Sequence, residues 1–251
     1  MFGFYDLTSP ASLDGFRIFI PVVAGLVAFI SFWFTQRSEK VRSRFIASFG
    51  QCRGSARFIM FTRYLGGCLM GIFPAAAFLI AYPSTSLSEL GLLLHPGKLP
   101  SALIWTAGLC ALFIPFFFFS ARNPKTMVNY PQIRAEVWDI RMVIGNLVSW
   151  AVYLLGYEIF FRGVLLFPVV QTAGAWAAIG INIGMYSGTH IPKGAGETIG
   201  AIPLSAILCL LCLHAGSFWP AFLVHVAMAW TTTLTSLKYH PDMKVVLKGK
   251  R

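Results

Sequence analysis

The sequence predicts an all-α, polytopic membrane protein of about seven transmembrane helices. Three observations predict it. The 251 residues are 57% hydrophobic and only 12% charged, against the roughly 25% charge of a soluble domain. Mean hydropathy is +0.70. The apolar residues also gather into runs near the ~20 residues that a helix needs to cross the hydrocarbon core. No run alternates with the period of two that a transmembrane barrel requires. A chain this poor in charge, with 23 Phe and 7 Trp, turns its outer surface to lipid. That excludes most soluble enzymes, nucleic-acid readers and disordered proteins.

Seven runs qualify, at 16–34, 64–82, 101–120, 142–170, 173–189, 199–213 and 218–237. The first fourteen residues carry no basic n-region and no small-residue cleavage site, so the first run is expected to be a retained anchor. The fourth is too long for one straight span and is expected to kink near Gly163 and Pro168. The sixth is short and must lean on its neighbours. There is no internal repeat and no low-complexity linker. The chain divides into residues 1–140 (three helices and basic loops), 141–237 (a core of four helices) and 238–251 (a basic tail).

Charge placement orients the spans. Twenty Lys and Arg oppose nine Asp and Glu, for a net +11. The 36–63 loop carries Arg37, Lys40, Arg42, Arg44, Arg53, Arg57 and Arg63 against Glu39 alone. The 121–141 loop carries Arg122, Lys125, Arg134 and Arg141, and the tail carries Lys238, Lys244, Lys248, Lys250 and Arg251. With seven spans all three fall on one side, expected to be cytoplasmic, and the 83–100 loop falls outside. The expectation is a bacterial plasma-membrane protein with its N-terminus out and C-terminus in. Of Cys52, Cys68, Cys110, Cys209 and Cys212, the last two have redox or ligand spacing. Within a Leu- and Ile-rich helix they are expected to be buried, inert thiols.

Ionisable groups inside apolar runs are costly and mark function by default. Glu158 and Arg162 lie i,i+4 in the fourth run, with Glu on the N-terminal side, the favourable order for a pair. His190 ends the fifth run, and His225 lies eight residues into the seventh. Helices four and five should form a hairpin turning at 171–174. That would put Glu158 and His190 within about 6 Å of one depth, with His225 roughly 13 Å below the opposite turn. Gly180, Gly184 and Gly188 form a small-residue stripe expected to serve helix packing. His95, His214 and His240 are assigned no role. A carboxylate with two imidazoles is a minimal kit for activating water. The same three residues could instead hold a zinc ion with an open position, although no His-Glu-x-x-His signature is present.

Three segments carry a resemblance. They are Tyr157-Glu158-Ile-Phe-Phe-Arg162-Gly163, Tyr186-Ser-Gly-Thr-His190 and His225-Val-Ala-Met-Ala229, with Ile191-Pro-Lys-Gly-Ala-Gly-Glu197 after the second and Gly216-Ser-Phe-Trp-Pro220 before the third. In order and spacing they resemble the CAAX protease and bacteriocin-processing family of intramembrane endopeptidases, and are similar to the type II CAAX prenyl endopeptidase. The family pattern is Glu-Glu-x-x-x-Arg, aromatic-x-x-x-His and His-x-x-x-Asn, and the resemblance runs from about Arg141 to Leu237. Two positions depart from it: Tyr157 stands at the first glutamate and Ala229 at the asparagine.

The resemblance implies an endopeptidase of glutamic type, without metal, acting on a membrane-anchored protein or peptide in the bilayer and not on nucleic acid. It implies Glu158 as base, His190 as water activator and His225 as oxyanion binder or substrate orienter, supported by Arg162 and Tyr157. Glu197 either offers a second carboxylate beside His190 or forms a solvated pair with Lys193. The two departures open the alternative of an inactive member that binds a membrane peptide, as in bacteriocin immunity. A proton-relaying transporter is a third reading, opposed by the missing repeat.

Overall fold

The computed structural model describes residues 14–246. The expected lack of a cleavable leader, and the tail residues Lys248, Lys250 and Arg251, lie outside the described residues. Every predicted run is helical. The helices are α1 (Phe16–Gln36), α2 (Glu39–Phe49), α3 (Gln51–Ala81), α4 (Leu99–Ala121), the single turn α5 (Pro124–Met127), α6 (Ile140–Glu158), α7 (Leu166–Ala173), α8 (Ala175–Gly188), α9 (Ala195–Ala215) and α10 (Trp219–Tyr239). A π-helical segment, Ile159–Leu165, joins α6 to α7 in one continuous rod. It contains Gly163, one of the two residues where the kink is expected.

The span count differs from the expected seven. Among the described residues, five helical stretches are long and apolar enough to cross a membrane: Phe16–Gln36, Gln51–Ala81, Pro96–Ala121, Ile140–Ala173 and Ala195–Ala215. With 14 residues, α8 rises only about 21 Å, short of the ~30 Å core. Helix α10 has the length, but its second half carries Thr232, Thr233, Thr235 and Ser236, all buried, so its polar groups serve the bundle interior. The 36–63 segment is also not a loop. Ser38 accepts a hydrogen bond from the Val41 N–H and caps α2, and Gly50, at φ 78°, turns the chain into the first turns of α3.

Burial separates the rod from the rest. Its most apolar window is 78% buried, against 28% for α1 and 11% for Pro96–Ala121, so Ile140–Ala173 is the central element. Helix α1 turns small residues inward, with Ala24, Gly25 and Ala28 on one stripe, and exposes Phe19, Leu26, Ile30 and Phe34. An apolar face of that extent requires lipid. Central α6 is seated by glycine. A Cβ on Gly156 would lie 1.9 Å from the Gly67 carbonyl oxygen, and one on Gly71 would lie 2.7 Å from the Gly156 Cα, so α3 and α6 pack backbone to backbone. The stripe singled out in the sequence is a correction. Added Cβ atoms on Gly180, Gly184 and Gly188 meet nothing within 4 Å, so those glycines admit no neighbouring helix.

Contacts define two ends of the bundle. At one end Arg17 donates to Gln171 and Tyr82 to Asp14, and the Trp219 indole donates to the Leu92 carbonyl. At the other, basic end Arg63 donates to Gln132 and Ser236 to the Ala121 carbonyl. Here Val137–Asp139 (β1) pairs in parallel with Lys244–Val246 (β2), an element without an apolar alternation to announce it. Trp138, fully buried, anchors it beside Ile133, Ala135 and Leu237.

Candidate active site

The rod changes from α to π geometry immediately after Glu158, and single π turns inside α-helices are frequent at functional sites. Glu158 and Arg162 are both fully buried. They form the expected pair, with Arg162 Nη1 at 3.3 Å from Glu158 Oε2. From α10, 67 residues on, His225 Nδ1 reaches Glu158 Oε1 at 2.6 Å, inside the range of a charge-assisted hydrogen bond. The geometry fixes the tautomer. With Nδ1–H donated to the carboxylate, Nε2 of His225 keeps a free lone pair. The His225 side chain is 13% exposed where Glu158 is 0%, so the imidazole is the more accessible end of the dyad.

A second layer holds Arg162. Its Nη2 donates to Ser205 Oγ at 3.4 Å, and the guanidinium sits 4.4 Å from the centroid of the Tyr186 ring. Ser205 donates in turn to Asn182 Oδ1 at 3.4 Å, while Asn182 Nδ2 donates to the Phe161 carbonyl within the π segment. Asn182 and Ser205 escaped the sequence reading. Asn182 had a signal: a lone amide among Ile and Gly, four residues before Tyr186 on one face of α8. Ser205 had none, because a single serine in an apolar helix is ordinary.

His190 lies in the turn beyond α8, outside the membrane-length helices. Its Nδ1 is 2.9 Å from the Tyr186 carbonyl oxygen. A carbonyl only accepts, so Nδ1 carries the proton and Nε2 keeps its lone pair. Burial first, and then the nearby Lys193 charge, push the His190 pKa down to about 3. The ring is therefore a neutral acceptor at physiological pH. Thr189 Oγ1 donates to the same carbonyl at 2.7 Å. Its hydrogen is thereby committed, so Tyr157 OH donates to Thr189 Oγ1 at 2.6 Å.

The predicted residues converge in part. Glu158, Arg162 and His225 touch. His190 joins them through the Tyr186 ring, whose centroid is 4.8 Å from the His190 ring and 6.2 Å from the His225 ring. Tyr157 closes the cluster, with its ring centroid 5.8 Å from His225. Glu197 is partnered elsewhere, by Lys193 at 3.5 Å and by Tyr130 OH at 3.3 Å, which is the pair with Lys193 and not a carboxylate turned to His190. Ala229 packs with Trp150, Leu154 and Val226. Among the described residues no group of three or more His, Cys, Asp or Glu side chains could hold a metal ion. Glu158 and His225 are bonded to each other, and the His190 Nδ1–H is turned to a carbonyl, so each imidazole keeps its Nε2 free. Cys209 and Cys212 are buried free thiols, as expected.

Two cavities flank the cluster. One, of about 310 Å³, is polar and lies between α1, α3, α6 and the 189–193 turn. The other, of about 240 Å³, is an apolar cleft between α1, the rod and α8, with Gly184 and Gly188 in its wall. Phe29 and Thr189 line both, so the two spaces abut at the threonine that bonds Tyr157.

Comparison with known proteins places this core. Residues 139–231 match the family model described as type II CAAX prenyl endopeptidase Rce1-like, which covers less than half of the chain. The matched stretch contains every segment that carries the resemblance seen in the sequence. No curated protein and no solved structure matches.

Proposed function

We propose that this chain, with its Rce1-like core, is an intramembrane endopeptidase that hydrolyses a membrane-associated protein or peptide, with the Glu158–His225 dyad as its base. The observation that carries the reading is the 2.6 Å contact between a fully buried carboxylate and a partly exposed imidazole. A buried carboxylate that orients an imidazole and matches its charge is the arrangement that makes histidine an effective base. His225 Nε2 takes a proton from water, and the hydroxide adds to the scissile carbonyl. The protonated ring then returns the proton to the departing amine. His190 Nε2, held neutral, accepts a hydrogen bond from the same water and orients it. Arg162 balances the carboxylate charge, donating to Oε1 and standing 3.3 Å from Oε2. No step is assigned to a metal. Five membrane-length helices support a reaction in the bilayer, and the basic end is proposed to face the cytoplasm.

Cleavage of quenched-fluorescence membrane peptides by the purified protein tests the reading. Glu158→Gln and His225→Ala should each lower turnover about 10²–10⁴-fold while the protein stays folded. Full turnover in both variants would end the assignment of the dyad, and no cleavage by the unmodified protein would end the enzyme reading. Ala229, packed into an apolar cluster where the family pattern has asparagine, favours a second reading. In it the chain binds a membrane peptide without cutting it, and both variants keep the biological effect.

A further inference from the structure

The polar cavity contains a charge that the catalytic cluster does not use. Arg63, in its wall, is 3% exposed. Its guanidinium donates to Asn146 Oδ1 at 2.7 Å, to Ser149 Oγ at 3.1 Å and to Gln132 Oε1 at 3.0 Å, and it stands 4.2 Å from the centroid of the Trp150 ring. All of these partners are neutral. No Asp or Glu pairs with Arg63 among the described residues, and its Nε has no hydrogen-bond partner. A buried cation without a counter-ion is costly, and here the protein builds a four-residue cradle to retain it. Arg37, exposed at the end of α1, and Lys193 line the same cavity, and no acidic residue does. Lys193 already has Glu197; among the described residues neither Arg63 nor Arg37 pairs with a carboxylate.

We infer that this cavity is an anion subsite, and that it receives a carboxylate of the substrate peptide with Arg63 in its wall and Arg37 at its mouth. The identity of the ligand rests on the peptidase reading; the anion preference rests on the cavity alone. A planar guanidinium is suited to a carboxylate. The cavity meets the catalytic cluster and the apolar cleft at Thr189, so one peptide can place an apolar portion in the cleft and a carboxylate in the cavity. Two carboxylates could serve, the peptide's C-terminus or an acidic side chain.

The test is fluorescence anisotropy with full-length Glu158→Gln protein, which binds without turnover, in nanodiscs of neutral phosphatidylcholine. The probe is a labelled peptide of one apolar span with a short polar tail, made as C-terminal acid or amide and with Asp or Asn in the tail. Removing the recognised carboxylate should weaken binding about tenfold or more, and which replacement does so identifies its source. The gap should narrow in Arg37→Gln, which touches no buried bond, and close in Arg63→Gln. Equal binding of all four peptides overturns the inference, and that arm needs no Arg63 variant to fold. A gap that survives unchanged in Arg37→Gln also overturns it. Loss of the gap on adding anionic phosphatidylglycerol to the nanodiscs would assign the cavity to a lipid headgroup and overturn the carboxylate. If the unmodified protein cuts no peptide but the acid–amide gap is present, the subsite stands and the peptidase reading falls.

Discussion

Replacing Arg162 by Met removes the only cation among the described residues that touches the Glu158 carboxylate other than the His225 ring. At 3.3 Å, with an effective dielectric of about 20, the pair's attraction is about 5 kcal/mol. Stranding a buried charge generally costs about 3–5 kcal/mol. Two features put the expected loss near the lower figure. The Arg162–Glu158 contacts, at 3.3 and 3.4 Å, are longer than an ideal charge-assisted bond, and His225 at 2.6 Å remains to share a proton with the carboxylate. Arg162→Met should therefore lose about 3 kcal/mol, measured as reversible unfolding in mixed micelles. The double variant Glu158→Gln/Arg162→Met should recover about 2 kcal/mol of that loss, because it strands no charge. Stability of Arg162→Met within about 0.5 kcal/mol of the parent, or strict additivity in the double variant, would refute the placement of this pair in the dry interior.

Three further outcomes follow from the geometry. Gly156→Ala drives a Cβ into the Gly67 carbonyl and should cost about 1–3 kcal/mol with a parallel loss of cleavage. Gly184→Ala, with nothing within 4 Å of the added carbon, should change stability by less than about 0.5 kcal/mol; equal effects of the two would show that α3 and α6 do not pack as described. His190 is held neutral, with its pKa lowered from 6.5 to about 3. The unfolded chain thus binds the extra proton first, and the stability this histidine contributes, complete above pH 6.5, is lost as the pH falls from there toward 3. Unfolding of the parent should weaken on acidification by up to about 1.4 kcal/mol per pH unit more than that of His190→Gln, and identical slopes would contradict its burial. An impermeant maleimide added outside intact cells should label Ser84→Cys and leave the exposed native Cys52 unlabelled; the reverse pattern would invert the orientation.

The apolar runs were legible because hydrophobic length is a property of local sequence, and the turn at 171–174 and the i,i+4 order of Glu158 and Arg162 followed from it; at Gly163, where a kink is expected, the chain runs through a π-helical segment of a continuous rod. What stayed hidden depends on partners. A window average cannot show that α8 stops after fourteen residues, nor that the threonines of α10 face inward. Spacing alone made Gly180, Gly184 and Gly188 resemble a packing stripe, while the glycines that bring helices together, Gly67, Gly71 and Gly156, lie on two elements far apart in the chain. Within the site the sequence placed Glu158, His190 and His225 in one region. It could not show that Glu158 bonds His225 directly while Tyr186 stands between His225 and His190. The same limit hid Arg63, which reads as one more basic residue of a cytoplasmic loop until Asn146, Ser149 and Trp150 are seen to enclose it.

The short parallel pair β1/β2 bears on the dyad from a distance. Strand β1 leads straight into α6, which carries Glu158, and β2 follows α10, which carries His225. The two helices are therefore the tines of a fork whose base is clasped by three residue pairs and the buried Trp138. Such a strand pair is marginal by itself, yet its leverage is large, because Glu158 stands about 28 Å up one tine and His225 about 20 Å up the other. Sliding one tine by a single residue would move its side chain about 1.5 Å past its mate and rotate it through about 100°, enough to break a 2.6 Å contact. The clasp thus acts as a register stop at the basic end of the bundle for the buried Glu158–His225 contact, and the strand after α10 bears on that contact although it lies nowhere near it.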